Sequence, residues 1–370
     1  MQYPDRGTRA RRTMQVVQLA TALALASCTQ RADSTPTVTT DDLGTTSTLA
    51  FPRDGRVVLV TIDGARWQDV FEGSNPEFSG APSIPPEQLM PRTLALVASR
   101  GVALGATREG CAKVHTAGAS NVSLPGYLEI FTGHASHCLD NSCSQVEVSV
   151  LDEAVRAGVS GVASIGGWEE LSKAVSGGNA GVFVSVGRSW PDDVPAVDHL
   201  GDLVAAGNAA DAYPGHAEYR PDAATAAIAL EYLRVAKPAL FHIGLGDTDE
   251  YGHRGDYPSY LDALRRADAL VGAVADVLAT MGDDGEKTTV IVTPDHGRNA
   301  DFRDHGAFHP ESARTFLIAF GSRLVPRGIG CPTRDITLAD VAPTVRVLMG
   351  LPRDATSGGG IPVELITEPQ

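Results

Sequence analysis

The sequence predicts an α/β fold: a mostly parallel central sheet flanked by helices on both faces, a three-layer sandwich. Three observations predict it. Runs of strand length recur that are apolar from end to end, stretches of helical periodicity separate them, and no internal repeat interrupts the alternation. A strand that is apolar along its whole length has no face for water, so both faces must be covered, and the intervening helices supply the cover. A hydrophobic content of 43% with 20% charged residues is that of a soluble globular protein and excludes a chain disordered throughout.

The strands, in order, are "RVVLVTI" (56–62), "GVASIG" (161–166), "GVFVSVG" (181–187), "ALFHIGLG" (239–246), "TTVIVTP" (288–294) and "TFLIAFG" (315–321). Helical patterns lie between and after them, in "PEQLMPRTLALVASRG", "SVLDEAVRAG", "PDAATAAIALEYLRVAK", "YPSYLDALRRADALVGAVADVLATMG" and "DITLADVAPTVRVLMG". Residues 55–370 are read as one catalytic domain, with 140–240 a candidate cap over the site.

The N-terminus is read separately. Arg6, Arg9, Arg11 and Arg12 precede the apolar run "VVQLATALALAS", too short to span a bilayer, so residues 1–27 form a secretory signal. The run ends in Leu25-Ala26-Ser27-Cys28, which resembles the bacterial lipobox, whose Cys is acylated after cleavage. The Thr-rich, polar segment that follows makes 28–54 a flexible tether. The expectation is an exported lipoprotein of the cell envelope, periplasmic or outer-membrane-anchored, held to the membrane through lipidated Cys28.

Removing residues 1–27 takes away four Arg and one Asp, a net +3, and moves the formal charge from −15 to −18. No Lys/Arg-rich stretch remains to neutralise phosphates, so binding to nucleic acid by charge is excluded. An anionic substrate must then be held by something other than surface charge, and bound metal is the candidate. Besides Cys28 there are four cysteines, Cys111, Cys138, Cys143 and Cys331, and in an exported protein disulfides persist. Of the three connectivities, the close pair in "CLDNSC" favours Cys138–Cys143, leaving Cys111–Cys331; buried free thiols are the alternative. None is at C-x-x-C spacing, which argues against a Cys-ligated zinc site.

In open α/β sheets ligands sit outside the carboxyl ends of the strands, so the polar residues just after each apolar run carry the chemistry. The first run ends in Asp63-Gly64, a pair that by itself is most often a turn. "LGDTDEYGH" follows another; Asp249 and His253, four apart, point the same way on a helical turn and suit one metal ion, while Asp247 caps or supports the turn. "TTVIVTPDHGRNADFRDHGAFHP" places Asp295 and His296 at a strand end, with His305 and His309 beyond. "NVSLPGYLEIFTG" puts Ser123 near a helix start: an N-cap serine on the plain reading, and also a hydroxyl at a helix end able to hold an anion.

These segments together resemble the alkaline phosphatase superfamily, and within it the type I phosphodiesterase/nucleotide pyrophosphatase branch, over about residues 56–350. "VVLVTIDGARW", "SLPGYLEIFTG", "DTDEYGH", "TPDHGR" with the later "DHG", and "ITLADVAPTV" carry the resemblance. It implies an alkaline phosphatase-like fold, two divalent metal ions and a covalent phospho-enzyme. Asp63, Asp295 and His296 would hold one metal, which also contacts the nucleophile Ser123. Asp249, His253 and His305 would hold the other, with His305 preferred to its rival His309. Mixed Asp/His ligation without Cys suits Zn²⁺ better than Mn²⁺. The sulfatase signature is broken, since Ser123 is followed by Pro125 but then by Tyr127 where that branch has Arg.

The implied function is two-metal hydrolysis of a small-molecule phosphate ester, monoester or diester, through a phosphoserine at Ser123. The alternative is phosphoryl transfer to an envelope glycan or lipid, against which the lack of a transmembrane helix weighs. A remote alternative is an inactive metal- or ligand-binding lipoprotein.

Overall fold

The run at residues 56–62 becomes the middle of the sheet because both of its faces find a covering layer. The computed structural model describes residues 37–39, 48–50, 53–144, 147–178, 181–191, 199–352, 363 and 365. In it strand β1 (Arg56–Ile62) turns Val58, Val60 and Ile62 into one hydrophobic core and Val57 and Leu59 into another, the period of two that an extended chain imposes. The segment expected to be a signal peptide, Cys28 and much of the segment 28–54 expected to be a tether lie outside the described residues. Within residues 28–54, Thr37–Thr39 and Thr48–Ala50 pair as an antiparallel ribbon.

Among the described residues the central sheet has eight strands. After β1 come β2 (Gly101–Leu104), β3 (Val162–Gly166), β4 (Val182–Val186), β5 (Leu240–Leu245), β6 (Thr288–Thr293), β7 (Leu317–Gly321) and β8 (Gly328–Ile329). Their order across the sheet is β8-β2-β7-β6-β1-β5-β3-β4. The five from β6 to β4 are parallel, and β7 runs antiparallel to both β2 and β6. All six runs read from the sequence are strands of this sheet. β2 and β8 were not foreseen, having four and two residues, too few to show a period.

The principal helices form the outer layers. They are α1 (Pro91–Arg100), α2 (Ser123–Thr132), α3 (Val150–Arg156), α4 (His199–Ala209), α5 (Asp222–Ala236), α6 (Asp247–Arg254), α7 (Tyr257–Ala279) and α8 (Val341–Met349). Helices α1, α4, α5 and α7 cover one face through side chains such as Val97, Leu200, Ile228 and Leu264. Helices α2, α3 and α8 cover the other through Leu128, Leu151 and Val345. Among the described residues, 140–240 supply two strands and three of the principal helices of these same layers, and Asn141, Trp168 and His216 from this stretch border the site. No helix among the described residues is long and apolar enough to cross a membrane.

Both disulfides join the cysteines that the spacing favours. Cys111–Cys331 links segments 220 residues apart, and Cys138–Cys143 closes a small loop beside α2.

Candidate metal centre

β6, β1 and β5 lie side by side and run the same way, so their carboxyl ends share one rim. β1 delivers Asp63 there, β6 delivers Asp295 and His296, and β5 passes through Gly246 into α6 with Asp249 and His253. Two glycines permit the crowding. Gly64 has φ +60°, and a Cβ there would sit 2.5 Å from Asp249 Oδ1; a Cβ on Gly126 would sit 2.2 Å from the Asp295 carbonyl oxygen. The second contact is what lets α2 bring its first turn against the strand end.

Ser123 is the first residue of α2 and does not cap it; Val122 occupies the N-cap. Its hydroxyl lies 3.4 Å from Asp63 Oδ1 and 3.2 Å from His296 Nε2. The residue is 5% exposed, but that exposure opens on a cavity of about 490 Å³ that also meets Asp63, Asp249, His253 and His305.

The donor atoms fall into two abutting clusters. Asp63, Asp295 and His296 offer ligand atoms within 4.8 Å of one another, and so do Asp249, His296 and His305. His253 joins the second cluster, its Nε2 being 3.1 Å from Asp249 Oδ2 and 3.1 Å from His305 Nε2. His296, assigned from the sequence to the first cluster alone, faces both, with its ring stacked on His305 at 3.8 Å between centroids. His305 rather than His309 reaches the clusters; His309 lies against Asn299, 3.4 Å from its amide nitrogen. Backbone carbonyls orient two of the rings. His305 Nδ1 donates to Asn121 O at 2.9 Å and His296 Nδ1 to Gly297 O at 2.8 Å, which turns each Nε2 lone pair toward the clusters.

Electrostatics at the rim are unfavourable for the side chains alone. Burial, then the neighbouring carboxylates Asp295 and Asp249, push Asp63 well above the usual carboxylate range. Burial and Asp249 do the same to Asp295. Burial also opposes ionisation of Asp249, yet the Arg298 guanidinium, with His305 and His253, holds it well below that range. Asp295 Oδ2 is buried with no hydrogen-bond partner. An orphaned carboxylate oxygen amid carboxylates and imidazoles fits a divalent cation, which would satisfy the oxygen and offset the crowded charge.

Sequence reasoning gave no role to four residues that shape the site. Arg298, two residues past His296, is buried; its Nη1 bonds Asp249 Oδ1, while Nε and Nη2 donate to Phe302 O and Arg303 O at 2.6 Å each. Tyr127 OH donates to Asp63 Oδ2 at 3.1 Å; standing four residues after Ser123, it is one helical turn on, a spacing that could have revealed it. Asn141 accepts from Leu124 N at 2.9 Å through Oδ1, which leaves its amide NH₂ for the cavity it lines. Asp222 accepts from Gly246 N at 2.8 Å and Asp247 N at 3.1 Å, so it caps α6, while Asp247 in return accepts from Asp222 N at 3.1 Å. Nothing local marks Asn141 or Asp222.

A parallel sheet whose carboxyl rim holds two abutting Asp/His clusters and a helix-borne serine defines a metal-dependent enzyme of the α/β class. Residues 213–352, which include Asp249, His253, Asp295, His296 and His305, match the Metalloenzyme superfamily. That match covers 140 of the 370 residues and takes in the second cluster and the end of β6. Over 135 residues it is 30% identical to GPI ethanolamine phosphate transferase 1 of Mus musculus, covering 32% of this chain and 14% of that protein. Over 172 residues it is 33% identical to the phosphopentomutase of Methylobacterium nodulans, covering 46% of this chain and 38% of that one. The chain thus spans well under half the length of these curated relatives. Among solved structures, the phosphonate monoester hydrolase of Agrobacterium radiobacter superposes with a TM-score of 0.54 at 16% identity, covering 85% of this chain and 78% of that one, a likeness of fold.

Proposed function

We propose that the chain hydrolyses phosphate esters, with Ser123 as nucleophile and two divalent cations, Zn²⁺ in preference to Mn²⁺, held at the rim. The observation that carries this reading is the Ser123 hydroxyl, free of any capping duty and set 3.4 Å from Asp63 Oδ1 and 3.2 Å from His296 Nε2 at the mouth of a cavity. Asp63, Asp295 and His296 would hold one cation beside Ser123; Asp249, His253 and His305 would hold the other. When bound, the cations supply Lewis-acid polarisation of the phosphoryl oxygens and a lowered pKa for the serine hydroxyl.

The chain's own residues do the rest. Tyr127 and the turn at Gly64 hold Asp63 and Asp295 in place, Gly64 N donating to Asp295 Oδ1 at 3.0 Å. The N-terminus of α2 and the Asn141 amide face the phosphoryl oxygens as donors, a preorganised arrangement for developing negative charge. Ser123 Oγ attacks phosphorus; the Oγ–P bond forms as the ester P–O bond breaks, and the alcohol departs with the hydroxyl proton. Water then attacks the phosphoseryl group, the Oγ–P bond breaks, and Ser123 regains a proton as phosphate or its monoester leaves.

Metal-loaded protein assayed on 4-nitrophenyl phosphate mono- and diesters tests this. Ser123→Ala is expected to lower turnover at least about 10³-fold with an unchanged circular dichroism spectrum, and elemental analysis should find about two equivalents of metal. Undiminished turnover by the variant would remove the serine from the mechanism.

A second reading keeps the site but passes the phosphoryl group to an acceptor alcohol. The similarity to a GPI ethanolamine phosphate transferase favours it. Product analysis with glycan or lipid acceptors separates the two: a new phosphodiester means transfer, free alcohol and phosphate mean hydrolysis.

The leader and lipobox support the further proposal that the enzyme works at the cell envelope, anchored through Cys28 and exposed to the periplasm or outer membrane. Cys28→Ser is expected to move the protein from the membrane pellet to the soluble fraction. An unchanged distribution rules the anchor out.

A further inference from the structure

Beyond the two clusters, the cavity wall changes character. Its outer part is formed by Trp168, Glu169, Glu170, His216, Tyr219 and Glu250, and among the described residues no Lys or Arg side chain lines it. That is unexpected for a site that receives an anion. The carboxylates of the metal clusters would be offset by the cations they bind, so the charge met by the rest of a substrate is that of the three glutamates.

Their surroundings differ. Glu170 is paired with Lys173, one helical turn on. Glu250 shares its surroundings with Asp249 and with His216, His253 and Arg254. Glu169 has no ion pair among the described residues, and its Oε2 is buried with no hydrogen-bond partner.

Glu169 is also rigidly placed. It stands three residues past the end of β3, at the same carboxyl rim as the catalytic residues, and the turn that leads to it is pinned by Arg220. The backbone N–H of Arg220 donates to Gly167 O at 2.8 Å and its Nη2 to Gly166 O at 3.1 Å. The buried Arg220 guanidinium is spent on Gly166 O, Ser185 and Thr225, so it does not serve Glu169 as a counter-ion. Aromatic surface adjoins: Trp168 precedes Glu169, and Tyr219, whose OH donates to Asp247 at 2.8 Å, closes the far wall. A half-buried carboxylate with an unpartnered oxygen, in a cavity wall that also carries Trp168 and Tyr219, is the chemistry that receives an ammonium group.

We infer that the site takes phosphate esters whose non-reacting half carries a positively charged amine or quaternary ammonium group, with Glu169 as the residue that selects it. This rests on the reading of the cavity as a phosphoester site. By the same electrostatics, substrates with a further anionic group, such as nucleoside polyphosphates, are disfavoured.

The test uses two esters with the same leaving group and the same shape, 4-nitrophenyl phosphorylcholine and 4-nitrophenyl 3,3-dimethylbutyl phosphate, which differ in one charge. For the metal-loaded full chain, kcat/KM is expected to favour the choline ester at least about tenfold, and Glu169→Gln should bring the ratio close to one. A ratio near one in the unsubstituted protein, or a preference that Glu169→Gln leaves intact, overturns the inference. Hydrolysis of neither ester would count against the hydrolase reading, and binding then decides the substrate class. Zinc-loaded Ser123→Ala protein should bind phosphocholine about tenfold tighter than 3,3-dimethylbutyl phosphate by calorimetry, and equal affinities overturn it.

Discussion

The Ser123 hydroxyl is set by two unrelated constraints, the start of α2 and the close approach of that helix to the end of β6. Asn141 is set by two others. The Cys138–Cys143 disulfide brackets it in a short loop, and Leu124 N donates to its Oδ1, which fixes the amide in the cavity wall. In the proposed reaction such a donor would act on charge that develops only as the P–O bond breaks. Asn141→Ala is therefore expected to lower kcat by about 10²-fold while KM changes little, measured by steady-state kinetics on a diester. An effect confined to KM would mean that Asn141 binds ground-state substrate only. Asp63, Ser123, Asp249 and the Asp295-His296 pair were legible in the sequence because each follows a recognisable apolar run or precedes a helical one. Asn141 was not legible, because its role depends on Leu124, across the chain from it in no periodic relation.

Helix α6 shows how an element's placement rests on another element. It begins directly after β5, with Asp249 and His253 one turn apart on one side, and it is the shortest route from the sheet rim to the second cluster. Its orphan N–H groups are met from outside: Asp222, at the start of α5, accepts from Gly246 and Asp247, and Asp247 returns the bond to Asp222 N. The sequence assigned Asp247 a supporting role near its own helix; the structure shows a reciprocal pair, its two residues 25 positions apart, joining the starts of two helices. Removing the cap by Asp222→Ala should cost about 1 kcal/mol of stability and loosen α6. Metal affinity at the second cluster is expected to fall about 10–100-fold, as read by competition with a chromophoric chelator. Full retention of affinity would show that α6 is positioned by its other contacts alone.

The sheet as a whole carries a histidine in its middle. His242, on β5, sits between Thr61 and Ser164 on the neighbouring strands, with Nε2 2.9 Å from Thr61 Oγ1 and Nδ1 2.8 Å from Ser164 Oγ. Burial lowers its pKa to about 3. The unfolded chain takes up a proton at this residue near pH 6.5, whereas the folded protein does not until about pH 3. Between those values the unfolded state binds more protons, so stability falls as pH falls, by about 1.4 kcal/mol per pH unit from this group. At pH 4.5 the loss is about 3 kcal/mol. Urea midpoints at pH 7 and pH 4.5 should therefore converge in His242→Gln relative to the unsubstituted protein. Equal differences in the two proteins would mean that His242 titrates normally in the folded state.

The sequence by itself determined the sheet, the alternation with helices, and the polar residues that close each strand, because these depend on neighbours within a few positions and on a period of two or 3.6. It also held the ligand types, since oxygen and imidazole donors at strand ends name a hard-to-borderline divalent cation. Only the tertiary structure decided that β6, β1 and β5 are adjacent, that His296 faces both clusters, that Arg298 serves Asp249, and that an uncompensated Glu169 borders the cavity. Each of those depends on contacts between residues tens to hundreds of positions apart. Such contacts form only when the whole sheet is assembled, and no local pattern in the chain records them.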